Sequence, residues 1–219
     1  MALQAAHRHG LSADRLAVAI AITANAASFL LPTSNITNLL LLGHVPLPTP
    51  AYVSDSWLPW CMIAAITAGP LAWWAAAAAT PPVPAVTTGP SAWAVSDLVP
   101  MFLLASAIRA LLGAGLALHG GFTSQLATGA LLAATANNLP AAAAIAPAGT
   151  PALWAAILAT TIGPGLLVTG SVAAMITRRI AHDGNARLSA RQYSAIGLAL
   201  VPAQLAAATL GLHITGVLR

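Results

Sequence analysis

Three short polar stretches interrupt an otherwise apolar chain: Thr33-Ser34-Asn35-Ile36-Thr37-Asn38, Asn137-Asn138 and Thr169-Gly170-Ser171. Ser34, Asn35, Thr37, Asn38, Asn137, Asn138, Thr169 and Ser171 offer hydroxyls and carboxamides, which donate and accept hydrogen bonds without carrying charge. With Gly170 they form the candidate binding set. Such groups can hold a small polyhydroxy species or a carboxylate without burying a fixed charge. A simpler role competes: the same side chains satisfy backbone groups that a broken helix sets free. Both roles require breaks, and the sequence provides them. Pro32 precedes Thr33. Pro140 follows Asn138 and removes a backbone donor, and Leu139 before it is steered away from helix. Gly163-Pro164-Gly165 precedes Thr169. Half-helix N-termini at such breaks favour anionic or oxygen-rich groups through the helix dipole.

The remaining polar residues exclude more than they assign. All eight cationic residues are Arg and all four acidic residues are Asp. Four of the Arg fall within 178–191, a local cluster rather than a nucleic-acid surface, so no nucleic-acid partner is expected. Arg109 lies about eleven residues into the apolar run 98–118. A charge at mid-membrane is costly enough to be a functional candidate, here for pairing or for facing a substrate. Asp97, at the start of that run, is a second candidate charge that also suits an interfacial cap, as does Asp55. His44, His119 and His213 flank apolar segments and read as solvated loop residues. No two His share ligand spacing within a span, and Cys61 is the lone cysteine. No metal, disulfide or cofactor is therefore expected. Without paired carboxylates or a nucleophile beside a base, no enzyme is expected either.

The elements that must position these residues are those of a membrane protein. Hydrophobic residues make up 58% of the chain and charged residues 5%, with a mean hydropathy of +0.83. A soluble domain carries roughly 25% charged residues. Residues 57–79 are uncharged and long enough to cross roughly 30 Å of hydrocarbon. Trp57 and Trp60 at one end face Trp73 and Trp74 at the other, like interfacial belts. Ser12 is the expected N-cap of the first helix, with Asp14 in its first turn. No short apolar core with a small-residue cleavage site marks a signal peptide. The expected fold is all-α: a polytopic integral membrane protein with two re-entrant or broken helical hairpins, in the plasma membrane. The expected division is 1–79, with a hairpin at 16–43 and the span 57–79, then a Pro- and Thr-rich linker at 80–96, then 97–219. The last part holds spans 98–118 and 193–212, a broken segment 124–147 and a second hairpin 152–176. One repeat is visible: Leu30-Leu31-Pro32-Thr33-Ser34-Asn35-Ile36 aligns with Leu166-Leu167-Val168-Thr169-Gly170-Ser171-Val172 at an offset of 136 residues (169 minus 33). Paired breaks in two halves point to an inverted-repeat transporter site.

In that setting, Asn25-Ala26-Ala27-Ser28-Phe29-Leu30-Leu31-Pro32-Thr33-Ser34-Asn35-Ile36-Thr37-Asn38-Leu39-Leu40 resembles the first helical hairpin of the arsenical pump membrane proteins. These belong to the ion transporter superfamily, with the citrate and dicarboxylate carriers. Asn137-Asn138-Leu139-Pro140-Ala141 resembles the Asn-Asn-Leu-Pro break of that family's second half. Ile162-Gly163-Pro164-Gly165, followed by Thr169-Gly170-Ser171-Val172-Ala173, resembles its second hairpin. The three appear in family order and cover most of the chain. The resemblance implies efflux of arsenite or antimonite by proton antiport, with binding at the polar breaks. The partners it implies are arsenite, antimonite or another small oxyanion, protons, the lipid bilayer and a soluble pump ATPase. Two alternatives stay open: a carrier of citrate or another small anion, and a non-transporting truncated membrane subunit.

The chain also departs from the family. Family members are much longer, with a whole first half upstream of the Ser-Asn-Xaa-Thr-Asn segment. This sequence therefore reads as a truncated or rearranged member, working as a homodimer or with a separately encoded first half. Ala174 stands where the family has Thr, which removes one hydroxyl from the expected site. The Arg cluster places 177–192 on the cytoplasmic side by the positive-inside rule.

Overall fold

The computed structural model describes residues 11–77, 93–113 and 115–219, with the side chains of 93–98 outside that set. Among the described residues the secondary structure is helical, apart from isolated bridge residues such as the pair Leu116 and Ile145. Nine α-helices follow one another there. They are α1 (Ala13–Ala26), α2 (Ile36–Leu42), α3 (Thr49–Ala76), α4 (Trp93–Leu112), α5 (Phe122–Ala136), α6 (Asn138–Ala144), α7 (Thr150–Ile162), α8 (Val172–Asp183) and α9 (Ala190–Ile214). The expected all-α class holds. Most of the expected linker, 80–92, lies outside the described residues, and 93–96 already belong to α4. The expected span 98–118 is displaced: α4 begins at Trp93 and stops at Leu112, before Gly113 with φ 57°. Two helices, α3 with 28 residues and α9 with 25, are long and apolar enough to cross a membrane.

The helix starts follow from local chemistry. The Ser12 hydroxyl caps α1, accepting from the Arg15 amide at 3.4 Å, with Asp14 in the first turn. Asn35 caps α2, Asn137 caps α6, Ser171 caps α8 and Ser189 caps α9. Three of these caps are candidate site residues. Each polar stretch thus starts a half-helix and supplies the acceptor its orphan amides need.

The internal repeat extends well beyond seven residues. α1 ends at residue 26 and α7 at 162; short 3-10 turns follow at Pro32–Ser34 and Val168–Gly170; α2 begins at 36 and α8 at 172. Every pair keeps the offset of 136 residues seen in the sequence. The caps agree in backbone as well: Asn35 has φ −146° and ψ 137°, Ser171 φ −133° and ψ 131°.

The two copies run in opposite senses. Arg15, at the start of α1, donates to the Trp74 carbonyl near the end of α3 at 2.9 Å. The Arg187 amide, between α8 and α9, donates to Asp14 at 2.7 Å. One pole therefore holds the start of α1, the end of α3 and the α8–α9 turn. At the other pole Leu41 of α2, Tyr52 of α3, and Leu153 and Trp154 of α7 share one core cluster. There Trp154 Nε1 donates to Asp55 at 3.2 Å. The expected hairpins at 16–43 and 152–176 are thus corrected: both are broken helices that cross the fold. Their breaks hold an extended cap residue, which continues the chain. Segment 124–147 is the one that doubles back. Gln125 and residues 145–148 line one small cavity, so the chain returns to its starting level. Asn137, at φ 78°, makes the reversal.

Close approach of small residues holds the bundle together. α7 is apolar on all sides, and residues 153–162 are buried accordingly. α9 crosses the 3-10 turn after α7 at Gly197 and crosses α3 at Gly211. A Cβ at Gly211 would lie 2.9 Å from Pro59 atoms. Interfaces between apolar helices rely on such small residues and on interhelical hydrogen bonds. One such bond, from Gln204 Nε2 of α9 to Thr67 Oγ1 of α3 at 2.8 Å, lies fully inside.

Candidate functional site

The first break releases five consecutive carbonyls, and each finds a side-chain donor. Ala27 accepts from Trp60 Nε1 at 2.8 Å, Phe29 from the Tyr52 hydroxyl at 3.0 Å and Leu30 from the Ser56 hydroxyl at 2.9 Å. Ser28 accepts from Asn38 Nδ2 at 3.2 Å, and Leu31 from the Ser34 hydroxyl at 2.6 Å. Tyr52, Ser56 and Trp60 lie four residues apart along α3 and so share one face. Unpaired carbonyls away from water cost free energy, and this face removes that cost. Asn35 donates to Ser28 Oγ at 3.1 Å and caps Thr37. Thr37 and Asn38 are buried. Thr37 Oγ1 and Asn38 Oδ1 have no hydrogen-bond partner among the described residues.

The hairpin apex and the second break are tied together. Asn137 Nδ2 donates to the Thr169 carbonyl at 2.8 Å, while its Oδ1 caps Leu139. Asn138 Oδ1 accepts from the Val172 amide at 3.4 Å. Gly170 lies so close to α5 that a Cβ would meet the Ala134 carbonyl at 2.9 Å. Ser171 is fully buried. Its hydroxyl donates to Asn25 Oδ1 at 2.5 Å and accepts from the Ala174 amide at 3.2 Å.

One cavity of about 290 Å³ joins these elements. Its polar lining is Asn25, Ser28, Ser34, Asn35 and Asn138, and its apolar wall includes Phe102 of α4 and Ile176 of α8. Among the described side chains, no charged one lines it. The structure thus brings Ser34, Asn35 and Asn138 together. Asn137, Thr169, Gly170 and Ser171 stand behind that lining as supports, and Thr37 and Asn38 face the protein interior.

The described charges lie elsewhere. Arg109 is not central in a span: it sits in the last turn of α4, exposed, and its Nη1 donates to His44 Nε2. The helix ends earlier than the apolar run, which moves Arg109 from a centre to an edge. Asp97 falls on α4, its side chain outside the described residues. No group of three or more His, Cys, Asp or Glu that could hold a metal occurs among the described residues.

His44 is not merely a solvated loop residue. Desolvation first, and then the Arg109 guanidinium, hold its imidazole below the ordinary value. Above that value, about 6.5, folded and unfolded chains both carry it neutral and nothing is lost. As pH falls through it, the unfolded chain takes up a proton that the folded chain resists, so stability drops. In detergent, the unfolding midpoint is expected to fall more steeply for the native chain than for His44→Gln between about pH 7.5 and about pH 5. Equal slopes would remove His44 as the cause.

Asn25, Ser28 and Tyr193 were not in the candidate set. A signal for Asn25 existed: it is the lone carboxamide in the apolar run 16–31. Tyr193 carries no local signal, because its role depends on α9 crossing α1 and the second break. Set against protein-family models, curated proteins and solved structures, the chain matches none.

Proposed function

We propose that the chain is a multi-pass membrane transporter of the arsenical pump type, which exports arsenite or antimonite in exchange for protons. One observation carries this reading: two oppositely directed broken helices, whose breaks match at an offset of 136, share a cavity lined, among the described residues, with uncharged amides and hydroxyls. Transporters place substrate between such repeats. A neutral lining suits an undissociated trihydroxide such as arsenite better than a citrate-type anion, which would leave its charge unpaired. Apolar side chains on the outer surface suit lipid: Trp73 is 74% exposed, Leu103 66% and Leu198 68%. The direct test is uptake of radiolabelled arsenite into everted vesicles from an efflux-deficient host expressing the chain. Saturable, proton-gradient-dependent uptake is expected. Uptake no greater than in empty vesicles, with the protein present, would remove the reading.

A second reading, a subunit that needs a partner, is favoured by one asymmetry between the copies. The Thr169 carbonyl accepts from Asn137, whereas no donor among the described residues reaches its counterpart at Thr33. Co-expression with that partner would then be needed for uptake.

The proposed orientation puts the α8–α9 turn in the cytoplasm. Arg15, Arg178, Arg179, Arg187 and Arg191, five of the seven described arginines, lie toward that pole. In a Cys61→Ala background, Ala190→Cys should resist impermeant maleimide in intact cells and react in everted vesicles. Ready labelling from outside would reverse the topology.

A further inference from the structure

We propose that Tyr193 is a positioning residue for the cavity, holding the Asn25 amide in one orientation and so tying α1 to the first turn of α8. The inference rests on the transporter reading for its functional arm only. A carboxamide has two donor hydrogens and two acceptor lone pairs, and exchanging its ends reverses which are presented. Asn25 Nδ2 donates to the Tyr193 hydroxyl at 2.9 Å, and its Oδ1 accepts from Ser171. The Tyr193 hydroxyl in turn donates to the Pro164 carbonyl at 3.3 Å.

These bonds favour one orientation of Asn25, because its reversal would forfeit the hydrogen that Ser171 now gives it or the one that Tyr193 gives Pro164. Ser171 accepts from the Ala174 amide and gives its own hydrogen to Asn25. Tyr193 uses its hydrogen on Pro164, a carbonyl with no hydrogen to give, and so meets Asn25 as an acceptor. A reversed amide would set Oδ1 against the Tyr193 oxygen and Nδ2 against Ser171. One N–H and one lone pair of Asn25 therefore remain for a guest in the cavity that Asn25 lines. Tyr193 and Ser171 are fully buried and do not line that cavity, so they act through Asn25. The chain of bonds runs from the break after α7, through α9 and α1, to the cap of α8. It is the direct side-chain link between the two opposed copies at cavity level.

The first measurement needs no ligand. Hydrogen exchange of the amides at 172–176 is read in the detergent-solubilised full chain. Tyr193→Phe and Asn25→Ala should each speed that exchange roughly ten-fold, because the α8 cap loses its anchor. Ser56→Ala, which loses a bond on the far side of the first break, should leave it unchanged. Exchange unaltered in both cap-line variants overturns the proposal. The second measurement is arsenite uptake into everted vesicles. Tyr193→Phe should raise the half-saturating arsenite concentration roughly ten-fold with the maximal rate within about two-fold, and adding it to Asn25→Ala should cost nothing further. Additive losses, or a maximal rate that falls with protein level, would show a packing role and overturn it. Vesicles of the native chain that take up no arsenite count against the transport reading, and the exchange result then decides the clamp alone.

Discussion

Asn138→Ala and Asn35→Ala are each expected to lower arsenite uptake at least ten-fold while membrane insertion stays within about two-fold of the native chain. Both side chains line the cavity. Among the described residues Asn138 is engaged only by a long contact from the Val172 amide at 3.4 Å, so little of its capacity is spent on them. Asn35 also caps α2, and losing a cap costs about 1 kcal/mol by itself. The two contributions can be separated. Ser189 caps α9 through the same type of bond, to Gln192 at 3.3 Å, away from the cavity lining. Ser189→Ala should therefore lose the same order of stability with uptake retained. If all three variants lose uptake in proportion to protein level, the polar breaks are structural supports and the cavity is not a binding site.

Among the described glycines, Gly197→Ala is expected to be the most damaging substitution by alanine. A Cβ there would lie 1.9 Å from the Gly165 carbonyl oxygen. The obstacle is backbone, so no rotamer change relieves it, and α9 would have to move off the break after α7. Overpacking of this kind costs about 3 kcal/mol or more. Moving α9 would also shift Tyr193, one turn earlier. Gly69→Ala is the matched control in α3, where nothing beyond its chain neighbours lies within 4 Å of the new methyl. It should change stability by less than about 1 kcal/mol, because the backbone freedom that alanine saves is opposed by crowding of its Cβ against the Pro70 ring. Size-exclusion profiles and unfolding midpoints in detergent check both. A Gly197→Ala protein that elutes and melts like the native chain would contradict the packing described here.

Composition, breaks and caps were decided by the sequence itself. A chain with 5% charged residues and long apolar runs forms helices that hide their backbone, and the all-α class follows. Pro32, Pro140 and Gly163-Pro164-Gly165 interrupt those helices, and Asn35, Asn137 and Ser171 restart them, because local backbone chemistry acts over a few residues. The repeat at 136 residues was legible for the same reason. Direction was not. Whether a break crosses the fold or doubles back depends on the dihedrals of one residue: Asn137 is left-handed, whereas Asn35 and Ser171 are extended. Side-chain chemistry does not distinguish these cases. Nor could the sequence sort cavity-lining residues from supports. Asn35 and Asn138 line the cavity while Asn137 and Ser171 stand behind it, and Tyr193 enters the arrangement only because α9 packs across both copies. Local interactions set the elements, and long-range packing set which polar residues line the cavity.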